Sequence, residues 1–117
     1  MKKIPFSSPD IQDVDIEAVS SVIRSGWLAH GDYSNKLEEL FCSLTGAKYA
    51  TTVSNCTAGL HLSCIAAEFG PGDEVIVPAQ THTATSHAVE FTGAKAVFVD
   101  VDPITGNILT NNIEKII

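Results

Sequence analysis

Six small residues in a row, Ser54 to Gly59, join a β-branched segment to an apolar segment that favours a helix. The first N–H groups of a helix have no partner within the helix, and the helix dipole is positive at that end. Small side chains let an anion approach these groups, and the Thr57 hydroxyl adds a donor. Two interpretations stay open: a phosphate site, or an ordinary strand-to-helix connection capped by Ser54 or Thr57.

The sequence also narrows the kind of phosphate. It contains neither G-x-x-x-x-G-K-[ST], which would mark a P-loop, nor G-x-G-x-x-G, which would mark a dinucleotide site. A single phosphate on a small cofactor or substrate is the remaining expectation.

A second candidate is His82, in the segment PAQTHTATSH that follows the apolar run VIV. Residues just past the carboxyl end of a parallel strand face the ligand crevice. His82 could stack on a planar ring, donate a hydrogen bond or act as a base. The alternative is a partly buried histidine at a helix start.

Two helices are predicted ahead of these segments. Asp10 is expected to cap the first helix, and Gly26 to end it. Apolar residues at helical spacing predict a second helix that ends at Gly46. Its adjacent Glu38 and Glu39 are interpreted as a solvated face.

Beyond Lys48 the pattern alternates between strands and helices, which predicts an α/β fold with a parallel sheet. The sheet strands are nearly all apolar, as expected where both faces are covered. The chain ends early in a helix, with a small sheet, and this favours a portion of a longer protein. The sequence predicts strands over 48–54 and 95–101, a turn followed by a short buried strand within 71–78, and a further turn over 102–107. It predicts helices over 57–69 (stopped by Gly70), over 82–92 (stopped by Gly93) and from 110, capped by Thr110.

The composition of the 117 residues restricts the class of protein. A chain that is 44% apolar fits one globular domain. Its net charge of −7 disfavours nucleic acid and anionic membranes as partners. Three cysteines without a C-x-x-C pair disfavour a disulfide framework. With neither a signal peptide nor a membrane span predicted, the expected location is cytoplasmic.

Two apparent metal sites are discounted, and no metal is predicted. Asp100 and Asp102 resemble part of a calcium loop, but the glycine is one place late and the closing Glu is missing. A turn is the preferred interpretation. His61 and Cys64 have a spacing that suits zinc, but no second pair accompanies them, so packing is preferred.

Four collinear segments resemble the sugar aminotransferases of the DegT/DnrJ/EryC1/StrS group, over about Pro5 to Ile117. They are SGWLAHGDYSNKLEELF, VSNCTAGLHL, GDEVIVPAQTHTATSHAV and GAKAVFVDVDPITGNI. The resemblance implies part of the large domain of a fold-type-I, aspartate aminotransferase-like enzyme that uses pyridoxal 5′-phosphate (PLP). It also implies transfer of an amino group, usually from glutamate, to a nucleotide-linked keto-sugar in polysaccharide or amino-sugar biosynthesis, by a homodimer. Residues 1–46 would be a helical segment and 47–117 the start of the cofactor-binding core.

The resemblance assigns roles to individual positions. The segment matching Cys56, Thr57 and Ala58 holds the cofactor phosphate, although the family more often has Gly in place of Cys56. A nucleophilic role for Cys56 is disfavoured because the sequence places no base beside it. At the position matching His82 the family commonly has Phe, Tyr or Trp, whose ring covers the pyridine ring of the cofactor; His82 departs from this, but an imidazole can also stack. Trp27 lies in a loop near the active site, where it contacts the sugar or packs on the first helix.

In that family a lysine carries the cofactor, and an acidic residue pairs with the pyridine nitrogen. Both lie beyond the position that matches Ile117. Lys48, Lys95 and Lys115 do not fit the lysine motif. No catalytic residue is therefore predicted here, and the chain alone is expected to be inactive. The alternatives are a PLP-dependent sugar dehydratase of the same family, or a non-catalytic module that binds a phosphate ligand or a protein.

Overall fold

Two amphipathic helices, each ended by a glycine, form the first part of the structure. The structure is a computed structural model that describes residues 4–116. Helix α1 is Asp13–Ser25 and helix α2 is Asp32–Thr45. Gly26 and Gly46 follow them with φ of 71° and 75°, a left-handed conformation that favours glycine. Both predicted helix ends are confirmed.

The start of α1 differs from the prediction. Gln12, not Asp10, is the N-cap residue, and its backbone N–H donates to the Asp15 carboxylate at 2.9 Å. Asp10 instead accepts a hydrogen bond from the Gln12 side chain at 2.6 Å. The helix therefore begins where a carboxylate three residues later can accept from the cap backbone.

The chain divides into two compact units between Thr52 and Val53. In the second unit, strand β1 is Glu74–Pro78 and strand β2 is Lys95–Val99. They pair in parallel, with Glu74 opposite Lys95 and Pro78 opposite Val99. Helix α4, Thr83–Glu90, makes the crossover between them, so the predicted parallel α/β arrangement is confirmed.

The strand predicted over residues 48–54 is not formed within the described chain. A strand needs a neighbour for its hydrogen bonds, and the sheet of residues 4–116 contains β1 and β2 alone. The backbone N–H of Thr52 donates to a side chain, the Glu38 carboxylate, instead of a sheet partner. The prediction of a three-stranded sheet was wrong because it rested on local composition.

Three predicted helices are shorter than expected, among them α4, which is Thr83–Glu90 and not 82–92. Helix α3 is Cys56–Ala66 and ends before Gly70, since Glu68 already adopts a positive φ of 61°. The Phe69 N–H then donates to the Cys64 carbonyl at 3.2 Å and closes the helix end. Helix α5, Thr110–Ile113, starts with Thr110 instead of being capped by it; Ile117, at the end of that prediction, lies outside the described residues.

The core of the second unit lies between α4 and the two strands. Small residues let the helix approach the sheet closely, and Ala88 on α4 is 1% exposed. Helix α3 packs on α4, where the rings of His61 and Phe91 meet edge to face at 5.5 Å. The buried residues of the described chain are Val77, Ala84, Ala88, Val89, Ala94 and Val99.

The segment after β2 forms the predicted turn. Oδ1 of Asp102 accepts hydrogen bonds from the backbone N–H of Thr105 at 2.7 Å, from that of Ile104 at 2.9 Å and from the Thr105 hydroxyl at 3.1 Å. These bonds favour the charged carboxylate, so they lower the pKa of Asp102. An antiparallel bridge between Val101 and Ile108 closes the loop.

The lowered pKa of Asp102 predicts an acid-sensitive turn. Stability from this carboxylate is present above its ordinary pKa and is lost as the pH falls through the lower pKa of the folded state. Asp102→Asn keeps the acceptor oxygen but cannot titrate. We expect the Thr105 amide resonance of the unsubstituted chain to shift as the pH falls below the ordinary pKa of an aspartate, and that of D102N to stay nearly constant. Identical titration curves for the two chains would contradict this.

Candidate functional site

The first turn of α3 is organised by Asn55. This residue is the N-cap, with extended backbone, and its Oδ1 accepts a hydrogen bond from the Ala58 N–H at 2.9 Å. The predicted caps, Ser54 and Thr57, do not make this bond. An asparagine directly before an apolar helix is among the strongest N-cap signals, and sequence reasoning missed it.

Two backbone donors remain free at this helix start. Within residues 4–116, the N–H groups of Cys56 and Thr57 have no hydrogen-bond acceptor. Cys56 is exposed and Thr57 half-buried, so an anion can reach both. Acidic side chains occupy the first turns of α1 and α2, but the first turn of α3 has none. The dipole of α3 is therefore not compensated there, and the donors fit a phosphate.

His82 begins the neighbouring helix α4. It is the N-cap, and its Nδ1 accepts a hydrogen bond from the Ala84 N–H at 3.1 Å. A neutral imidazole used in this way carries its proton on Nε2. The ring is exposed, so a face for stacking and an Nε2–H donor remain available. Nδ1 is already engaged, which disfavours a role as a base.

The segment that leads into α3 is held by Glu38. One oxygen of this carboxylate, Oε1, accepts from the Thr52 N–H at 2.7 Å and from the Thr52 hydroxyl at 2.8 Å. The hydrogen bond from the Thr52 N–H is the largest cause of a lowered pKa at Glu38, and the bond from the Thr52 hydroxyl is the next. Burial acts to raise this pKa, and the charge of His30 acts to lower it further. Glu38 is half-buried, so the interpretation of a solvated face was wrong for Glu38, whereas Glu39 is exposed as predicted. No sequence motif links residues 14 apart in this way.

Trp27 lies in the first unit, in the loop between α1 and α2. Its side chain is 67% exposed and lies beside Gly31, where a Cβ atom would be 3.0 Å from the indole Cδ1. Beside it is an open cavity of about 610 Å³ with aromatic, hydroxyl and carboxylate groups in its wall. The cavity is lined by residues that include Ser21, Ser25, Trp27, His30, Asp32 and Tyr33.

The predicted site residues are thus divided between the two units. Cys56, Thr57, Ala58 and His82 belong to the second unit, at the starts of two helices that pack on each other. Trp27 belongs to the first unit. In the described part of the chain, no three side chains of metal-ligating type cluster, and no helix has the length and apolar character to cross a membrane.

Solved structures define the class to which this fold belongs. A Streptococcus pneumoniae protein in its PLP form, provisionally named a sugar aminotransferase, superposes with a TM-score of 0.93 at 37% identity, over 99% of this chain and 30% of its own. The Escherichia coli GDP-4-keto-6-deoxy-D-mannose-3-dehydratase with bound hydrated PLP gives 0.88 at 30% identity, over 100% of this chain and 32% of its own. The fold is part of the α/β domain of fold-type-I PLP-dependent enzymes, as predicted.

The family follows from the sequence. The model of the DegT/DnrJ/EryC1/StrS aminotransferase family matches residues 9–117, and the chain belongs to that family. The UDP-4-amino-4-deoxy-L-arabinose–oxoglutarate aminotransferase of Shewanella sediminis (strain HAW-EB3) is 44% identical over 108 residues, which are 92% of this chain and 27% of that protein. The chain therefore spans less than a third of the length of these relatives.

The Asn55 cap gives a test of the local geometry. Asn55→Ala removes the acceptor for the Ala58 N–H and should destabilise the chain by about 1 kcal/mol, whereas Asn55→Asp keeps an acceptor and should cost less. Urea unfolding followed by circular dichroism measures both. Equal midpoints for N55A and the unsubstituted chain would show that the cap is not formed.

Proposed function

We propose that this chain provides the cofactor-phosphate site of a PLP-dependent enzyme that moves an amino group to a nucleotide-linked keto-sugar. The observation that carries the proposal is the pair of free N–H groups, on Cys56 and Thr57, at the uncompensated start of α3. It occurs in a chain that belongs to an aminotransferase family. Bound PLP would act as the electron sink that makes amino transfer possible.

In this proposal the residues of the second unit bind and orient. The Cys56 and Thr57 N–H groups and the Thr57 hydroxyl donate to the phosphate. Ala58 presents a small side chain, so the backbone stays accessible, while its own N–H is held by Asn55.

His82 covers the cofactor ring in this proposal. The orientation of its imidazole is fixed by the hydrogen bond that Nδ1 accepts from the Ala84 N–H. Residues 47–117 would then be the start of the cofactor-binding core, after a helical segment over 1–46.

The substrate class is proposed from the relatives and from the chemistry of the Trp27 loop. The Shewanella sediminis protein is named for a UDP-linked amino sugar and for oxoglutarate, which suggests glutamate as the amino donor. An exposed indole beside hydroxyl and carboxylate groups suits a sugar, so Trp27 is proposed as a sugar contact. We further propose a cytoplasmic homodimer acting in polysaccharide or amino-sugar biosynthesis.

A dehydratase is the second candidate, because a dehydratase superposes over the whole of this chain. Its identity is 30%, against 37% and 44% for the two relatives named as aminotransferases.

The phosphate role can be tested at a single backbone donor. Proline is tolerated at the first position of a helix, and Asn55 already has the extended conformation that a following proline requires. Cys56→Pro therefore removes one N–H and leaves the helix in place. We expect its affinity for inorganic phosphate to fall about tenfold, measured from the Thr57 amide resonance during titration.

Cys56→Ser is the matched control, since it changes the thiol and keeps the N–H. It should bind phosphate like the unsubstituted chain. Equal affinity of C56P and C56S would contradict a phosphate bound by this N–H. Absence of any phosphate-dependent shift at Thr57 in the unsubstituted chain would overturn the site altogether.

The chain by itself is expected to show no transaminase activity. The proposed site, Cys56, Thr57, Ala58 and His82, contains no lysine, so no residue is assigned to carry the cofactor. Incubation of the purified chain with PLP, glutamate and a nucleotide-linked keto-sugar, followed by detection of oxoglutarate, measures this. Turnover in a preparation free of longer proteins would disprove the expectation.

A further inference from the structure

Among the described residues, the segment between α2 and α3 makes one tertiary hydrogen-bonded contact, between Thr52 and Glu38. Within the described chain, residues 47–54 form neither helix nor strand. The Ala47 N–H makes a local bond to the Thr45 hydroxyl at 3.3 Å. The other backbone N–H with a partner here is that of Thr52, and its acceptor is Glu38, 14 residues away. The path of this segment therefore depends strongly on one carboxylate.

The contact is strong for a single side chain. Oε1 of Glu38 accepts from both donors of Thr52, at 2.7 and 2.8 Å. Bonds to an ionised acceptor are roughly twice as strong as neutral ones. Because both donors belong to Thr52, the two bonds fix the orientation of this residue as well as its position.

Thr52 lies directly before the phosphate-binding segment. The next residue, Val53, contacts α3: a Cβ atom on Gly59 would lie 3.4 Å from its Cγ2 atom. Two residues further on is the N-cap Asn55, which holds the Ala58 N–H. Only two residues, Val53 and Ser54, thus separate Thr52 from the cap that shapes the first turn.

We propose that Glu38 is a positioning residue for the phosphate site. By fixing Thr52, it restricts the conformations of residues 53–55 and so keeps the Asn55 cap and the two free N–H groups in their binding arrangement. A loosely held segment would have to be ordered when phosphate binds, and this entropy would weaken binding. The identity of the ligand rests on the proposed function, whereas the ordering of the segment does not.

The test compares three variants of the full 117-residue chain. Glu38→Ala removes both bonds, Glu38→Gln keeps an acceptor oxygen, and Glu39→Gln makes the same charge change on the neighbouring residue. For each we would measure inorganic phosphate affinity at Thr57 and amide hydrogen exchange at Thr52, Ala58 and Val89. Val89, buried on α4, reports general unfolding.

E38A should weaken phosphate binding about tenfold and speed exchange at Thr52 and Ala58, with Val89 unchanged. E38Q should recover most of the affinity, and E39Q should match the unsubstituted chain. The proposal is overturned if E38A affects Thr52 alone, or if exchange at Val89 rises equally, since Glu38 would then act locally or on general stability. If the unsubstituted chain binds no phosphate, the proposed function fails, and exchange at Ala58 in E38A still decides the role of Glu38.

Discussion

Every backbone N–H group needs a hydrogen-bond acceptor, and this requirement determines the binding properties of the second unit of this protein. At the start of α3, four donors cannot be satisfied within the helix. Asn55 takes that of Ala58, and those of Cys56 and Thr57 remain open among the described residues. The small side chains here matter because they expose this pair. The composition of the segment and its binding chemistry are two results of the same constraint.

Local signals in the sequence predicted the parts of the fold that local physics determines. Gly26 and Gly46 end helices because glycine adopts a left-handed conformation easily. The apolar runs at 75–77 and 96–99 became β1 and β2, because residues of this kind stay in a sheet covered by helices. The position of the candidate phosphate site followed from the same kind of local reasoning.

The errors concern partners that are distant in sequence. Residues 48–54 have the composition of a strand, but pairing requires a second strand beside them, which composition does not reveal. Glu38 resembled any exposed glutamate on a helix until the structure placed Thr52 against it. The caps of α1 and α3 were misplaced by two residues or fewer, because several polar side chains competed for each helix start.

The pairing of β1 with β2 has a consequence for handling the chain. Among residues 4–116 the sheet has two strands, so each offers one side of its backbone with no strand beside it. Such edges accept further strands from other molecules, and the exposed Phe98 on β2 adds apolar surface nearby. We therefore expect concentrated solutions of the isolated chain to self-associate by strand addition at these edges.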